Sequence, residues 1–405
     1  MDVLFLSPGY PPEMPNYVRG LAQVGARVWG VGDSPQAGLP VRTRRALTGY
    51  LQVPRIMDED DVVARIKGWL GGRRPDRIEA MWEPLVLLAA RLRGELGVPG
   101  MSVDTVRGFR DKQLMKERIA AAGLRVPYSA RATTGEQVRK AAKSFGYPLI
   151  IKPIAGAGSA DTYRVDDEDQ LEKVIAVTKH VQEVSVEEFV DGQEFTYDTV
   201  CIDGKPVYEN VAQYLPRPLR ARTYEEISPV ICTVRNLDQP ELKDGIELGR
   251  KVLAALNMGT GFTHMEWYRK ADREVVFGEI GCRPGGAHLV DQMNFTSDID
   301  LFREWARSVC WKSFEADATR RYNAAIVFKR AKGQGRILRR EGLDRFMARY
   351  GKAVVWENLL PVGSPRRNWK QTLVSDGFLI VRHPEWNTTL ALANEVAENI
   401  TLYAG

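Results

Sequence analysis

The first hundred residues alternate short apolar runs with helical stretches. Residues 3–6, 26–31 and 77–81 read as strands, and 17–24, 60–69 and 85–96 as helices. Strands separated by helices do not fold back as hairpins. They lie side by side in one direction, so residues 1–103 are expected to form an α/β unit with a parallel, helix-flanked sheet. The turn after the first run, Ser7-Pro8-Gly9-Tyr10-Pro11-Pro12, lacks the Gly-x-Gly-x-x-Gly spacing that seats a dinucleotide. An NAD-binding fold is therefore not expected.

At 405 residues the chain is too long for one ordinary domain. Three further units are expected: 104–190, with helices, short strands and a Gly-rich loop; 191–312, with a strong hairpin signal; and 313–405, with strand-like stretches at 324–329 and 378–382 and a helix at 388–401. The fold class expected is a multidomain mixture of α/β and α+β. No run approaches the roughly 18 apolar residues of a membrane helix, and the N-terminus lacks the basic start of a secretory signal. The four cysteines are far apart, with no Cys-x-x-Cys pair. That favours a reducing cytoplasm and disfavours zinc or a disulfide framework. The net charge is +5, from 57 basic and 52 acidic side chains. The basic residues do not cluster among aromatics, so neither nucleic acid nor membrane is an expected partner.

Five segments carry chemistry. Thr263-His264-Met265-Glu266-Trp267-Tyr268 and Glu274-Val275-Val276-Phe277-Gly278-Glu279 flank a polar turn at Asp272-Arg273. A turn centred there sets Glu266 directly opposite Glu279, on one face of the hairpin. Like charges so placed destabilise a sheet unless something offsets them. Mg²⁺ suits the pair, because it takes one or two carboxylates and shares nucleotide phosphates. An exposed face that wets both acids is the alternative on this feature alone. In Pro148-Leu149-Ile150-Ile151-Lys152-Pro153, a lysine inside an apolar strand needs a counter-charge. The loop after it, Ala155-Gly156-Ala157-Gly158-Ser159-Ala160, lets backbone N–H groups approach phosphate oxygens.

Val186-Glu187-Glu188-Phe189-Val190-Asp191-Gly192-Gln193-Glu194-Phe195 reads as strand, turn and strand. Its open backbone can pair with a purine edge, and its last carboxylate can accept two hydroxyls. Asp111-Lys112 opens a helix, where a cation is out of place unless it faces an anion. Gly281-Cys282-Arg283-Pro284-Gly285-Gly286 follows the second hairpin glutamate, and its arginine can meet a carboxylate or an oxyanion.

The order of these segments along the chain resembles the ATP-grasp superfamily of carboxylate–amine and carboxylate–thiol ligases, in its amino-acid-ligase-like and carboxylase-like branches. The resemblance implies a preceding domain (1–103), a small lid subdomain with its helix (104–190), a large subdomain with the metal site (191–312) and a C-terminal lid-like piece (313–405). Lys112 and Lys152 would bind ATP phosphates, with Lys152 also catalytic, and Gly156, Gly158 and Ser159 would form the lid. Glu187 and Glu188, with the backbone of Phe189 and Val190, would hold adenine, and Glu194 the ribose. Glu266 and Glu279 would bind Mg²⁺. Arg283 would steady the acyl phosphate or the tetrahedral intermediate.

Two positions depart from the family pattern. Gly281 stands where an asparagine often adds a metal ligand, and Ala160-Asp161 follows the lid serine where a glycine is common. The implied activity is activation of a carboxylate as an acyl phosphate, attack by an amine, and release of ADP and phosphate. Substrate-pocket candidates are His264, His288, Asp291, Glu83, and Arg220 within the arginine-rich loop 217–222. The competing readings are a bicarbonate-activating, carboxylase-like subunit and a non-catalytic nucleotide-binding regulator. The partners implied are small molecules, with a homodimer allowed.

Overall fold

The computed structural model describes residues 1–154 and 161–405. The N-terminal unit holds a four-stranded parallel sheet in the order Leu47–Gln52, Arg27–Gly32, Asp2–Leu6, Arg77–Glu79. Val3, Leu4, Phe5 and Leu6 are all fully buried. A strand covered on both faces needs a continuous apolar run rather than an alternating one, which is what the sequence carries. The edge strand Leu47–Gln52 was not among the expected elements. It is half-buried and mixes Thr, Gly and Gln with Leu and Tyr, so its apolar signal is weak.

A smaller four-stranded sheet follows, in the order Ser129–Ala132, Val184–Glu188, Leu149–Pro153, Tyr163–Val165. It shares a core with the helices Gly135–Phe145 and Glu168–Val177. The helix Lys112–Ala121 packs beside it, its N-terminus capped by Asp111, which accepts from the N–H groups of Gln113 and Leu114.

The rest centres on one eight-stranded antiparallel sheet. Its order is Val275–Gly281, Gly261–Arg269, Gln193–Ile202, Lys205–Leu215, Val230–Thr233, Asn323–Phe328, Phe378–His383, Val354–Glu357. Strands from both sides of residue 312 thus belong to the same sheet. The final helix is Trp386–Asn399; Thr401, expected as its last residue, instead opens the strand Thr401–Ala404, which pairs with Ile337–Glu341.

The N-terminal unit is tied to the large sheet by packed aromatics. Tyr17 meets Phe302 at 4.9 Å, Trp305 at 5.2 Å and Phe262 at 6.1 Å between ring centroids, all edge-on. All four rings are almost fully buried. Each contributes on the order of 2–3 kcal/mol by leaving water. Glu83 of the first unit lies beside Gly281, at the end of the strand Val275–Gly281. Among the described residues, no helix is long and apolar enough to cross a membrane.

Candidate active site

The hairpin reaches the expected geometry by an unexpected route. Around the turn, Arg269 pairs with Val275, Tyr268 with Val276 and Trp267 with Phe277. The turn is therefore centred on Asp272, one position off the expected symmetry, with Lys270 N–H donating to Glu274 O and Arg273 at φ +74°. Continued in that register, Glu279 would face Met265 and point to the other side of the sheet. A bulge at Gly278 restores the pairing of Glu266 with Glu279. The bulged backbone passes so close to its partner strand that a Cβ on Gly278 would lie 2.8 Å from the carbonyl oxygen of Glu266.

Register then gathers the polar residues on one face. Glu266 pairs with Thr196, His264 with Asp198 and Tyr268 with Glu194 on the neighbouring strand. Because side chains alternate, Glu194, Asp198, His264, Glu266 and Glu279 share that face.

Lysines arrive from the small sheet and the helix. Lys112 Nζ lies 2.9 Å from Glu279 Oε1, and Lys152 Nζ lies 3.7 Å from Glu279 Oε2. Lys152 also lies 3.1 Å from Glu187 Oε2. Lys116 donates to Glu187 Oε1 at 2.7 Å, and Ser185 donates to the same oxygen at 2.7 Å. Burial would raise the pKa of Glu279, but Lys112 and Lys152 outweigh it and hold the carboxyl down at about 2. Glu187 is likewise held at about 2, against burial, by Lys116 and Lys152. Burial would lower Lys152, yet Glu187 and Glu279 raise its pKa, so it stays an ammonium.

Glu187 and Glu188 thus have their carboxylates engaged. Glu188 accepts from Arg125 Nη2 at 2.8 and 3.0 Å and from the N–H of Tyr128 at 3.1 Å.

The donor chemistry fits Mg²⁺. Glu266 and Glu279 are each about one-third exposed, at 32%, and Tyr214 O–H donates to Glu266 at 3.3 Å. Among the described residues, no group of three or more His, Cys, Asp or Glu side chains is arranged to hold a metal. Two carboxylates with solvent access suit a hard cation that completes its shell with phosphate and water.

At the other end, Glu194 is 5% exposed and pairs with Arg217 Nε at 3.0 Å. Burial and the anionic Glu266 push its pKa up to about 7, against the pull of Arg217. Arg217 Nη1 also donates to Val190 O at 2.9 Å.

Arg283 pairs with Glu83, which is also paired with Arg110 at 2.5 Å, so a partly buried ionic triad bridges the first unit and the arginine turn. The two cations hold Glu83 below the ordinary carboxylate range despite burial. A Cβ at Gly281 would approach Glu83 Oε2 at 3.3 Å, so Glu83 crowds the position where an asparagine is often found. Cys282 is buried and its thiol pushed up to about 12 by burial, which removes it as a nucleophile.

His264 Nδ1 contacts Asp198 at 2.5 Å, and its Nε2 lies 3.8 Å from Glu266. His288 and Asp291 pair at 2.9 Å, with the His288 ring packed 4.9 Å from both Trp356 and Phe378. Arg220 is exposed, while its neighbour Arg222 donates to the carbonyls of Trp369 and Lys370. The arginine loop therefore sends Arg217, rather than Arg220, onto the polar face. The expected lid residues Gly156, Gly158 and Ser159 lie outside the described residues.

Sequence reasoning missed Lys116, Asp198 and Arg110, and it named Arg217 only as part of the arginine loop 217–222, at the substrate end rather than beside Glu194. Lys116 had a signal, since it sits four residues after Lys112 and hence on the same helix face. Asp198 had one too, at even spacing from Glu194.

An ATP-grasp domain model matches residues 117–290. The L-arginine-specific L-amino acid ligase of Bacillus subtilis is 24% identical over 234 residues, covering 56% of this chain and 56% of that protein. The chain thus spans a little over half the length of that relative. The alanine–anticapsin ligase of Bacillus subtilis is 24% identical over 280 residues, covering 64% of this chain and 59% of that protein. An L-amino acid ligase from Bacillus licheniformis has a solved structure that superposes with a TM-score of 0.81 at 18% identity, over 100% of this chain and 98% of that one. This last likeness establishes the fold. Residues 117–290, which include Lys152, Glu187, Glu266 and Glu279, thus match an ATP-grasp domain.

Proposed function

We propose that this protein is an ATP-dependent ligase that activates a carboxylate as an acyl phosphate and joins it to an amine, releasing ADP and phosphate. The observation that carries the reading is the convergence of Lys112 and Lys152 on Glu279, directly opposite Glu266. The amino acid ligases among its relatives support the class of reaction.

In this reading, Lys112 and Lys152 leave Glu279 to receive the phosphates, and their positive charge spreads that of the phosphoryl transfer. Glu266 and Glu279 would hold Mg²⁺, which neutralises phosphate oxygens when bound. Glu187 keeps Lys152 and Lys116 charged and oriented, so its task is positioning. Adenine lies along the backbone of Phe189 and Val190, and Glu194 accepts the ribose hydroxyls. Arg283, backed by Glu83, faces the activated carbonyl, where a fixed cation stabilises the oxyanion formed as the amine attacks. His264, His288 and Asp291 border the substrate end.

The test is incubation with ATP, Mg²⁺ and a panel of amino acids, with bicarbonate as a separate arm, measuring ADP and trapping acyl phosphate with hydroxylamine. ADP and a hydroxamate are expected; AMP with pyrophosphate would overturn the mechanism. Glu279→Gln is expected to lower turnover at least about 100-fold, the order seen when one transition-state electrostatic contact is lost, with an unchanged circular dichroism spectrum.

A further inference from the structure

Arg217 holds a position the proposed reaction does not use. It binds two groups at once: the main-chain oxygen of Val190 at 2.9 Å and the carboxylate of Glu194 at 3.0 Å. Its guanidinium carbon also lies 5.0 Å from the ring centre of Phe189 and 4.8 Å from that of Tyr268. A guanidinium is flat, delocalised and edged with N–H donors. A nucleoside offers the same three things: a flat face for stacking, an amino edge for a carbonyl, and hydroxyls for a carboxylate.

We infer that Arg217 is a side-chain latch that occupies the nucleoside end of the ATP site in the ligand-free protein and is displaced when the nucleotide binds. The inference rests on the nucleotide-site reading above. The latch is held locally. The helix Pro218–Thr223 that follows Arg217 is pinned from its far side. Arg222 donates to Trp369 O at 3.2 Å and Lys370 O at 2.7 Å, and Arg330 donates to Ala221 O at 2.8 Å and Tyr224 O at 2.9 Å. Release is therefore a swing of the Arg217 side chain, with the helix left in place. An equilibrium of this kind taxes affinity, because the observed Kd is the intrinsic one divided by the open fraction.

The sign of the effect separates a latch from a ligand. Deleting a cation that contacts the nucleotide weakens binding, whereas deleting a latch tightens it. The experiment is calorimetric titration of the full chain and of Arg217→Ala with adenosine, with a non-hydrolysable ATP analogue plus Mg²⁺, and with tripolyphosphate. The ribose of each nucleoside probe is left unmodified. Adenosine and the ATP analogue are expected to bind about five- to tenfold more tightly to Arg217→Ala. Tripolyphosphate, which does not reach the nucleoside end, is expected to bind no more tightly. Arg217→Lys keeps the charge but cannot span both acceptors, and falls between the two.

Weaker or unchanged binding of adenosine and the analogue to Arg217→Ala overturns the latch. Equal tightening of tripolyphosphate also overturns it, since the effect would then be general. Failure of the analogue to bind either form removes the nucleotide-site reading itself, and the latch with it. Matching thermal unfolding midpoints exclude a folding defect.

Discussion

Replacing Lys116 with methionine removes one of the two cations that hold Glu187, in a cluster where both partners are almost fully buried, at 2% and 4% exposure. The ammonium itself loses by burial, which lowers its pKa. The carboxylate is the partner that gains: its folded pKa is about 2, against ~4.3 in an unfolded chain. That difference corresponds to about 3 kcal/mol at neutral pH. Because the folded pKa is the lower one, this stability is present above pH ~4.3 and is lost as the pH falls toward 2.

Lys116→Met leaves Glu187 with Lys152 and Ser185, so the expected cost at pH 7 is about 3 kcal/mol, the low end for orphaning one member of a buried pair. If the carboxyl returns to an ordinary pKa in the variant, the gap to wild type narrows by about 2 kcal/mol between pH 7 and pH 3. Urea unfolding followed by tryptophan fluorescence, repeated at several pH values, measures both quantities. A cost under about 1 kcal/mol at pH 7, or a cost that does not change with pH, refutes the assignment of Glu187 as the hub of a buried ionic cluster.

Gly278→Ala sets a Cβ 2.8 Å from the backbone of Glu266. It is expected to cost about 1–3 kcal/mol by overpacking and to reduce Mg²⁺-dependent ATP turnover out of proportion; a variant with full activity would show that the bulge does not set the carboxylate pair. Lys329 is buried, with its Nζ on Ser228 Oγ and the carbonyls of Val396 and Ala397, and burial lowers its pKa to about 8. Since the unfolded chain binds that proton more tightly, wild type is expected to gain about 2 kcal/mol relative to Lys329→Met as the pH rises from 7 to 10; unfolding curves that stay parallel over this range would remove the assignment.

What the sequence revealed of the fold and site follows from how local each signal is. The parallel unit was legible from strand–helix alternation, because full burial writes an unbroken apolar run such as 3–6. The edge strand Leu47–Gln52 and the terminal strand Thr401–Ala404 were not: the first mixes polar residues and Gly into its pattern, and the second is short and pairs with the distant Ile337–Glu341. The Glu266/Glu279 pairing was reached although the turn was placed one residue off. The displaced turn and the bulge at Gly278 are two one-residue shifts of opposite effect, and their cancellation is invisible to a symmetry count. Ion-pair partners follow the same logic. Lys116 meets a carboxylate 71 positions away, and Arg217 one 23 positions away across a strand and a turn. Helical spacing marks Lys116 as sharing a face with Lys112, but only the packing of that helix against the strand Val184–Glu188 decides that its charge is buried. A lysine in that position carries no apolar pattern of its own. Its role is written in the carboxylate it meets, which the family resemblance assigns to adenine.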